Sequence, residues 1–256
     1  MDKTENFFHA RPATAMRPLL GITVLVVEDS RFACEALRLL CLRSGARIRR
    51  ADSLYAAQQH LKVYRPCVLI VDAGLPDGDG TTLIDNLTQA TPRIDVILGT
   101  SGDPERKADV MAAGADDFLE KPITSLGEFQ NRILQFLPAN RQPPGPRLVN
   151  DEVVQPDIIA FHDDLSHVAQ VLSDDQSGEI VDYVTQFLGG VARSVSDDEL
   201  VCVVTQLAKR RDAGDPLAPA ITDLHDIVQR RLSTSGPFGV VTGSDHVAQD
   251  AVRSAR

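Results

Sequence analysis

The run Val68-Leu69-Ile70-Val71, closed by Asp72 and then broken by Gly74, Pro76, Gly78 and Gly80, constrains the fold more than any other stretch of the chain. An uninterrupted series of aliphatic residues of that length, stopped by turn formers, reads as a strand buried on both faces. Such strands belong to parallel sheets flanked by helices, which gather their ligands beyond the carboxyl ends of the strands. Asp72 is thereby placed at the edge where chemistry is expected.

A second strand-like run, Thr23-Val24-Leu25-Val26-Val27, ends in Glu28-Asp29 and then Ser30, a good helix N-cap. If the two strands are parallel neighbours, three carboxylates converge, and like charges at that range disfavour one another unless a cation joins them. A few carboxylates completed by water suit a hard divalent ion, and Mg²⁺ is the expected one. Two more strand ends complete the set: Asp95-Val96-Ile97-Leu98-Gly99 delivers Thr100, and Asp117-Phe118-Leu119-Glu120 delivers Lys121-Pro122.

Acid pair, single aspartate, threonine and Lys-Pro at successive strand ends resemble the receiver domain of two-component response regulators. The resemblance covers roughly residues 21–138. It rests on the agreement in order and spacing of Val-Val-Glu-Asp-Ser, Asp-x-x-Leu-Pro-x-Gly-Asp-Gly, Gly-Thr-Ser-Gly, Gly-Ala-Asp-Asp-Phe and Glu-Lys-Pro. It implies a doubly wound α/β fold whose five parallel strands run in the order 2-1-3-4-5. It also implies that Asp72 accepts a phosphoryl group from a sensor histidine kinase, a histidine phosphotransfer protein or a small phosphodonor. A carboxylate is a weak nucleophile, so positioning and charge neutralisation must supply the catalysis.

By the same resemblance, Asp29, Asp72 and the carbonyl of Gly74 bind Mg²⁺, and Glu28 assists through water. Lys121 pairs with a phosphoryl oxygen, and a cis peptide precedes Pro122. Thr100 is the switch hydroxyl, and Phe118 is the aromatic that rotates inward as Thr100 moves. The face built by the fourth helix, fifth strand and fifth helix is then expected to carry the change to the rest of the chain. Gly99 is smaller than the usual aliphatic there and should loosen its strand. Ser101 and Gly102 leave the approach to the phosphate uncrowded, so water should limit the lifetime of the acyl phosphate.

Punctuation by proline, glycine and periodicity divides the chain into a flexible extension over 1–20, a receiver over 21–138 and a spacer over 139–149. A helical output or dimerisation region over 150–233 and a disordered tail over 234–256 follow. The stretch 138–146, which leads into the spacer and makes up most of it, holds Pro138, Pro143, Pro144 and Pro146 and should be extended and semi-rigid. Beyond it, apolar residues recur at helical spacing in four segments. The stripes, Phe161, Leu165, Val168 and Leu172 among them, predict a small all-α bundle that a homodimer would help to complete. Ser196-Asp197-Asp198-Glu199 predicts a capping box, and Gly189-Gly190 a close helix approach or kink.

No familiar output motif is present in this region. Phe161-His162-Asp163-Asp164-Leu165-Ser166 resembles the phosphoacceptor helix of histidine-kinase dimerisation domains, which makes His162 a candidate second phosphoacceptor and a relay with Asp72 an alternative function. Residues 147–256 hold 9 Lys and Arg against 18 Asp and Glu, out of a net −10 for the chain. Such a surface should repel a phosphate backbone, which counts against DNA binding, the third reading, and favours an unidentified downstream protein partner. Cys34, Cys41, Cys67 and Cys202 show no pairing or metal-ligand spacing, which fits a reducing cytoplasm, and no run is long enough to span a membrane.

Overall fold

The computed structural model describes residues 13–147, 149–174 and 177–234. The lead-in before residue 13 and the tail after residue 234, both expected to be unstructured, lie outside the described residues. Five strands form one parallel sheet: β1 (Thr23–Val27), β2 (Arg47–Ala51), β3 (Val68–Asp72), β6 (Val96–Ser101) and β7 (Asp117–Glu120). Their order is β2-β1-β3-β6-β7, with a short antiparallel pair, β4 (Gly74–Leu75) and β5 (Gly78–Asp79), at the carboxyl edge. The order expected from sequence, 2-1-3-4-5, is this one with the small pair left out of the numbering.

Side chains that alternate along each strand build two cores. Val24, Val26, Val68, Ile70, Val96 and Leu98 face α1 (Arg31–Ser44) and α5 (Leu126–Leu134), where Leu37, Leu40, Phe129 and Ile133 meet them. On the other face, Leu25, Val27, Leu69, Val71 and Ile97 pack against α2 (Leu54–Val63), α3 (Gly80–Thr88) and α4 (Lys107–Ala112). Each fully buried Val, Leu or Ile contributes about 1.5–3 kcal/mol, so the three central strands hold the unit together from both sides. Ser30 caps α1 by accepting from the Ala33 N–H, and Gly45 ends it in the left-handed region at φ 84.

Two segments expected to be loose are bound to this unit. Leu19 is fully buried in the α1 side core, and its N–H donates to the Ser44 carbonyl at 2.9 Å, so the extension is ordered before residue 21. The proline-rich stretch makes one 3-10 turn at Ala139–Arg141 and then runs back along α5. Arg147 bonds Gln130 and Asn131, the Leu126 N–H donates to Glu152, and Val154 is buried beside Leu126 and Phe129. A strap, not a free spacer, therefore joins the two halves. Its hold is backbone pairing at Thr124–Leu126, which local composition does not encode.

The second half is four helices, α6 (Ile158–Asp174), α7 (Gly178–Ser194), α8 (Asp198–Ala213) and α9 (Ala218–Thr234). Phe161, Leu165, Val184, Leu188, Leu207, Leu224 and Ile227 are among the residues of one continuous core. That core is completed by Phe32, which α1 of the α/β unit inserts edge-on against Phe161 with ring centroids 6.2 Å apart. The stripes that a homodimer is expected to help complete are thus largely covered within one chain, with Ile158 left exposed. At the start of α8 the cap is Asp197 and not Ser196, because Asp197 accepts from the Leu200 N–H and also takes Arg231 at 2.6 and 2.9 Å. Among the described residues, no helix is long and apolar enough to cross a membrane.

Candidate functional site

The register of the sheet assembles the site. Val27 pairs with Val71 and Asp72 with Thr100, so Glu28 and Asp29 leave β1 beside the end of β3. Glu28, Asp29 and Asp72 each bring a carboxylate oxygen within 4.8 Å of the others. From the end of β7, Lys121 sets its Nζ 2.9 Å from Asp72 Oδ2 and 2.7 Å from Glu28 Oε2, with the ammonium almost fully enclosed. The Lys121–Pro122 peptide is cis. Gly80 opens α3 so close to the Asp72 carbonyl that a β-carbon would strike it.

Electrostatics mark the cluster as incomplete. Burial drives the Glu28 carboxyl well above its ordinary value, Lys121 pulls it back, and Asp72 and Asp29 push it up again. Burial and then Asp72 push the Asp29 carboxyl up to about 7. For Lys121, burial opposes the charge, but Asp72 and Glu28 more than compensate and hold the ammonium above its usual range. Three acids thus face one ammonium, and Asp29 Oδ1 is buried without a hydrogen-bond partner. A hard divalent cation supplies what this donor set lacks.

Thr100 lies at the same edge, its hydroxyl buried and unpartnered. Phe118, expected to rotate inward, is already only 5 % exposed and belongs to the α3 and α4 side core. At Gly99, Val110 of α4 occupies the space that a β-carbon would take.

The chain matches the response regulator receiver domain family over residues 24–133. That segment is a receiver domain. Similar curated proteins include the KDP operon transcriptional regulatory protein KdpE of Escherichia coli, 34% identical over 110 residues that make up 43% of this chain and 48% of KdpE. The virulence transcriptional regulatory protein PhoP of Salmonella typhimurium is 34% identical over 101 residues, 39% of this chain and 45% of PhoP. The chain thus spans about half the length of the curated relatives it matches. Among solved structures, a protein assigned as a response regulator in Chloroflexus aurantiacus is 33% identical, with 45% of this chain and 96% of that chain covered and a TM-score of 0.42. The receiver domain of a Pseudomonas aeruginosa sensor histidine kinase, solved with a magnesium ion in its active-site cleft, is 20% identical, covers 45% of this chain and 97% of its own and has a TM-score of 0.41. The relatives' names speak of transcription, so the comparisons lend no support to the expectation that nucleic acid is not a partner.

The helical unit sits on the receiver's acidic edge through α6 and α7. Asp164 of α6 is 2 % exposed and caps the receiver's α1: Ser30 Oγ, the Arg31 N–H and the Phe32 N–H donate to it at 2.7, 2.8 and 3.1 Å. A carboxylate on the free N–H groups of a helix start is favourably placed in charge and in hydrogen bonding. Tyr183 of α7 donates its hydroxyl to Asp29 Oδ2 at 2.8 Å. One turn along, the Gln186 amide lies over Gly74 in the space a side chain there would need. Gly190 meets Gly102, where a β-carbon on residue 102 would come within 2.7 Å of the Gly190 Cα.

Between α7 and Asp72 a cavity of about 20 Å³ remains, lined by Asp72, Lys121, Ser101 and Gln186 among others. Of the histidines, His162 is half-buried against the Phe161 ring and does not line this cavity, whereas His167 reaches Tyr183 Oη at 3.3 Å. The sequence reading missed Asp164, Tyr183 and Gln186. Asp164 carried a readable signal, since an acid between Phe161 and Val168 on an apolar stripe has to find a buried partner.

Proposed function

We propose that the chain is a response regulator in which phosphorylation of Asp72 and docking of its own helical unit over Asp72 exclude one another. The Asp72 carboxylate attacks the phosphorus of a phosphohistidine or small phosphodonor, the bond from phosphorus to the donor breaks, and an acyl phosphate forms. Asp29, Asp72 and the Gly74 carbonyl would hold Mg²⁺, with Glu28 acting through water. That ion, when bound, offsets charge on the phosphoryl oxygens. Lys121 pairs with one of those oxygens, and the unpartnered Thr100 hydroxyl is free to turn toward another. The cytoplasm, where such kinases present their phosphohistidines, is the compartment this reading requires.

The observation that carries the reading is the seating of α7 on this edge. A space of about 20 Å³ accommodates one water but not a phosphoryl group. The phosphodonor must therefore meet the undocked chain, and the product holds the chain undocked. The helices released in this way, with their acidic surface, are then available to a protein partner.

The test is hydrogen exchange on the full chain with and without Mg²⁺ and beryllofluoride. Residues 158–194 are expected to lose protection in the wild type and to keep it in Asp72→Asn. Unchanged protection in the wild type would show that the site and the docking are uncoupled. DNA binding is the second reading, favoured by the relatives' names, and a gel shift at two salt concentrations decides it.

A further inference from the structure

The face that α7 turns to the receiver is polar where a helix in a bundle would be apolar. Tyr183, Gln186, Gly190 and Arg193 recur at spacings of three and four and so share one side of the helix. Tyr183 bonds Asp29, and Gly190 seats against Gly102. Arg193 reaches past the same glycine.

Gln186 has no such docking role. Its amide makes no hydrogen bond among the described residues, and it stands between two spaces. On one side is the small cavity beside Asp72 and Lys121; on the other is an open cleft of about 600 Å³ between β4 and α7. Gly74 is what admits it, because any side chain at residue 74 would fill the position. The receiver leaves this place next to its phosphoacceptor empty, and the helical unit fills it with a neutral amide.

We infer that Gln186 positions the water that hydrolyses the Asp72 acyl phosphate, so that the helical unit resets its own receiver. The inference rests on the reading that Asp72 is phosphorylated. An amide suits the task because its carbonyl accepts from water while its NH₂ donates to a phosphoryl oxygen, and neither group titrates. Water attacks phosphorus in line with the bond to the Asp72 oxygen. That bond breaks, its electron pair returns to the Asp72 carboxylate, and both water hydrogens leave with dihydrogen phosphate. No general base is required, since positioning and charge neutralisation supply the catalysis of phosphoryl transfer. While the phosphoryl group is present α7 cannot seat fully, and the long Gln186 side chain bridges the gap as the helix returns. The open cleft supplies the water, and once phosphate leaves, the Tyr183 and Gly190 contacts close.

The test follows decay of phosphorylated full-length chain, prepared with acetyl phosphate and Mg²⁺ and then freed of donor, by intact mass. Wild type is compared with Gln186→Met, which keeps the length of the side chain, and with Gln186→Asn. Docking of the unphosphorylated variants is measured separately by hydrogen exchange across residues 158–194. Gln186→Met is expected to dock as the wild type does and to lose phosphate about tenfold more slowly or worse, with Gln186→Asn in between. Equal decay in wild type and Gln186→Met at equal docking would overturn the inference while leaving the proposed function standing. So would slowed decay that merely tracks weaker docking across the variants. Failure of the wild type to take up phosphate at all would overturn both.

Discussion

Two glycines meet where the helical unit touches the receiver, and an alanine on either side of that contact should have opposite consequences. A β-carbon on Gly102 would stand 2.7 Å from the Gly190 Cα, whereas one on Gly190 would find the Gly102 Cα at 3.9 Å, an ordinary contact. Carbon atoms prefer about 3.5–4.0 Å, so Gly102→Ala forces α7 back by about 1 Å. A retreat of that size also lengthens the Tyr183–Asp29 hydrogen bond from 2.8 Å to beyond useful range. Overpacking of this kind costs about 1–3 kcal/mol, which lowers the docking constant about 5- to 150-fold. Gly190→Ala adds no clash and removes a helix-interior glycine, worth about 1 kcal/mol to α7. The rate of Asp72 phosphorylation by acetyl phosphate reads the undocked fraction. Gly102→Ala should accelerate it and Gly190→Ala should leave it equal or slower. Acceleration by Gly190→Ala alone, or by both equally, would refute the reasoning that backbone contact at residue 102 governs docking.

Tyr183→Phe removes the hydroxyl that occupies Asp29 Oδ2. Calorimetric titration should then show Mg²⁺ binding about tenfold tighter, and an unchanged affinity would mean that the tyrosine and the ion do not share this oxygen. Hydrogen bonding from Arg231 holds the Asp197 carboxyl below its ordinary value despite partial burial, and the Leu200 N–H helps. Its contribution is therefore full above the unfolded value of about 3.9 and is lost as pH falls through the lower folded one. Asp197→Asn, which keeps a cap but loses the ion pair, should cost about 0.5–1 kcal/mol in urea unfolding at pH 7 and progressively less below about pH 4. Burial pushes the Cys34 and Cys41 thiols up to about 12. A thiol reagent at pH 8 should modify the exposed Cys202 first and leave Cys34 and Cys41 until the chain unfolds, which peptide mapping would show.

The receiver was legible in the sequence because its information is local. β1, β3 and β6 are apolar runs, the chain leaves them and β7 at the residues that the resemblance assigned to the site, and register then brings Asp29, Asp72, Thr100 and Lys121 to one edge without further instruction. What escaped depends on surfaces that meet only after folding. The proline-rich strap is held by backbone pairing at Thr124 and Leu126 and by burial of Val154, and a string of prolines gives no hint of either. Gly102 could be read as uncrowded and Gly189-Gly190 as inviting close approach, yet nothing in either motif named the other as its partner.

The docked arrangement also redirects how a signal would travel. The expected route ran from Thr100 through Phe118 to the face of α4, β7 and α5. The helical unit instead packs on α1 and β4. Its polar contacts fall on residues 29–32, just beyond the first strand, and its Gly190 packs against Gly102. Phosphorylation can therefore release it by occupying space beside Asp72, with no relay through the switch residues, and Phe118 is already buried. Thr100→Ala separates the two routes, because it deletes the hydroxyl but leaves the phosphoryl group its volume. With beryllofluoride and Mg²⁺, this variant should lose protection over residues 158–194 much as the wild type does. A Thr100→Ala chain that binds beryllofluoride and stays docked would instead mean that the switch hydroxyl drives release. Direct exclusion would leave the face of α4, β7 and α5 free to answer the same phosphoryl group independently, so a chain undocked by Gly102→Ala should still change exchange at Phe118 when beryllofluoride binds.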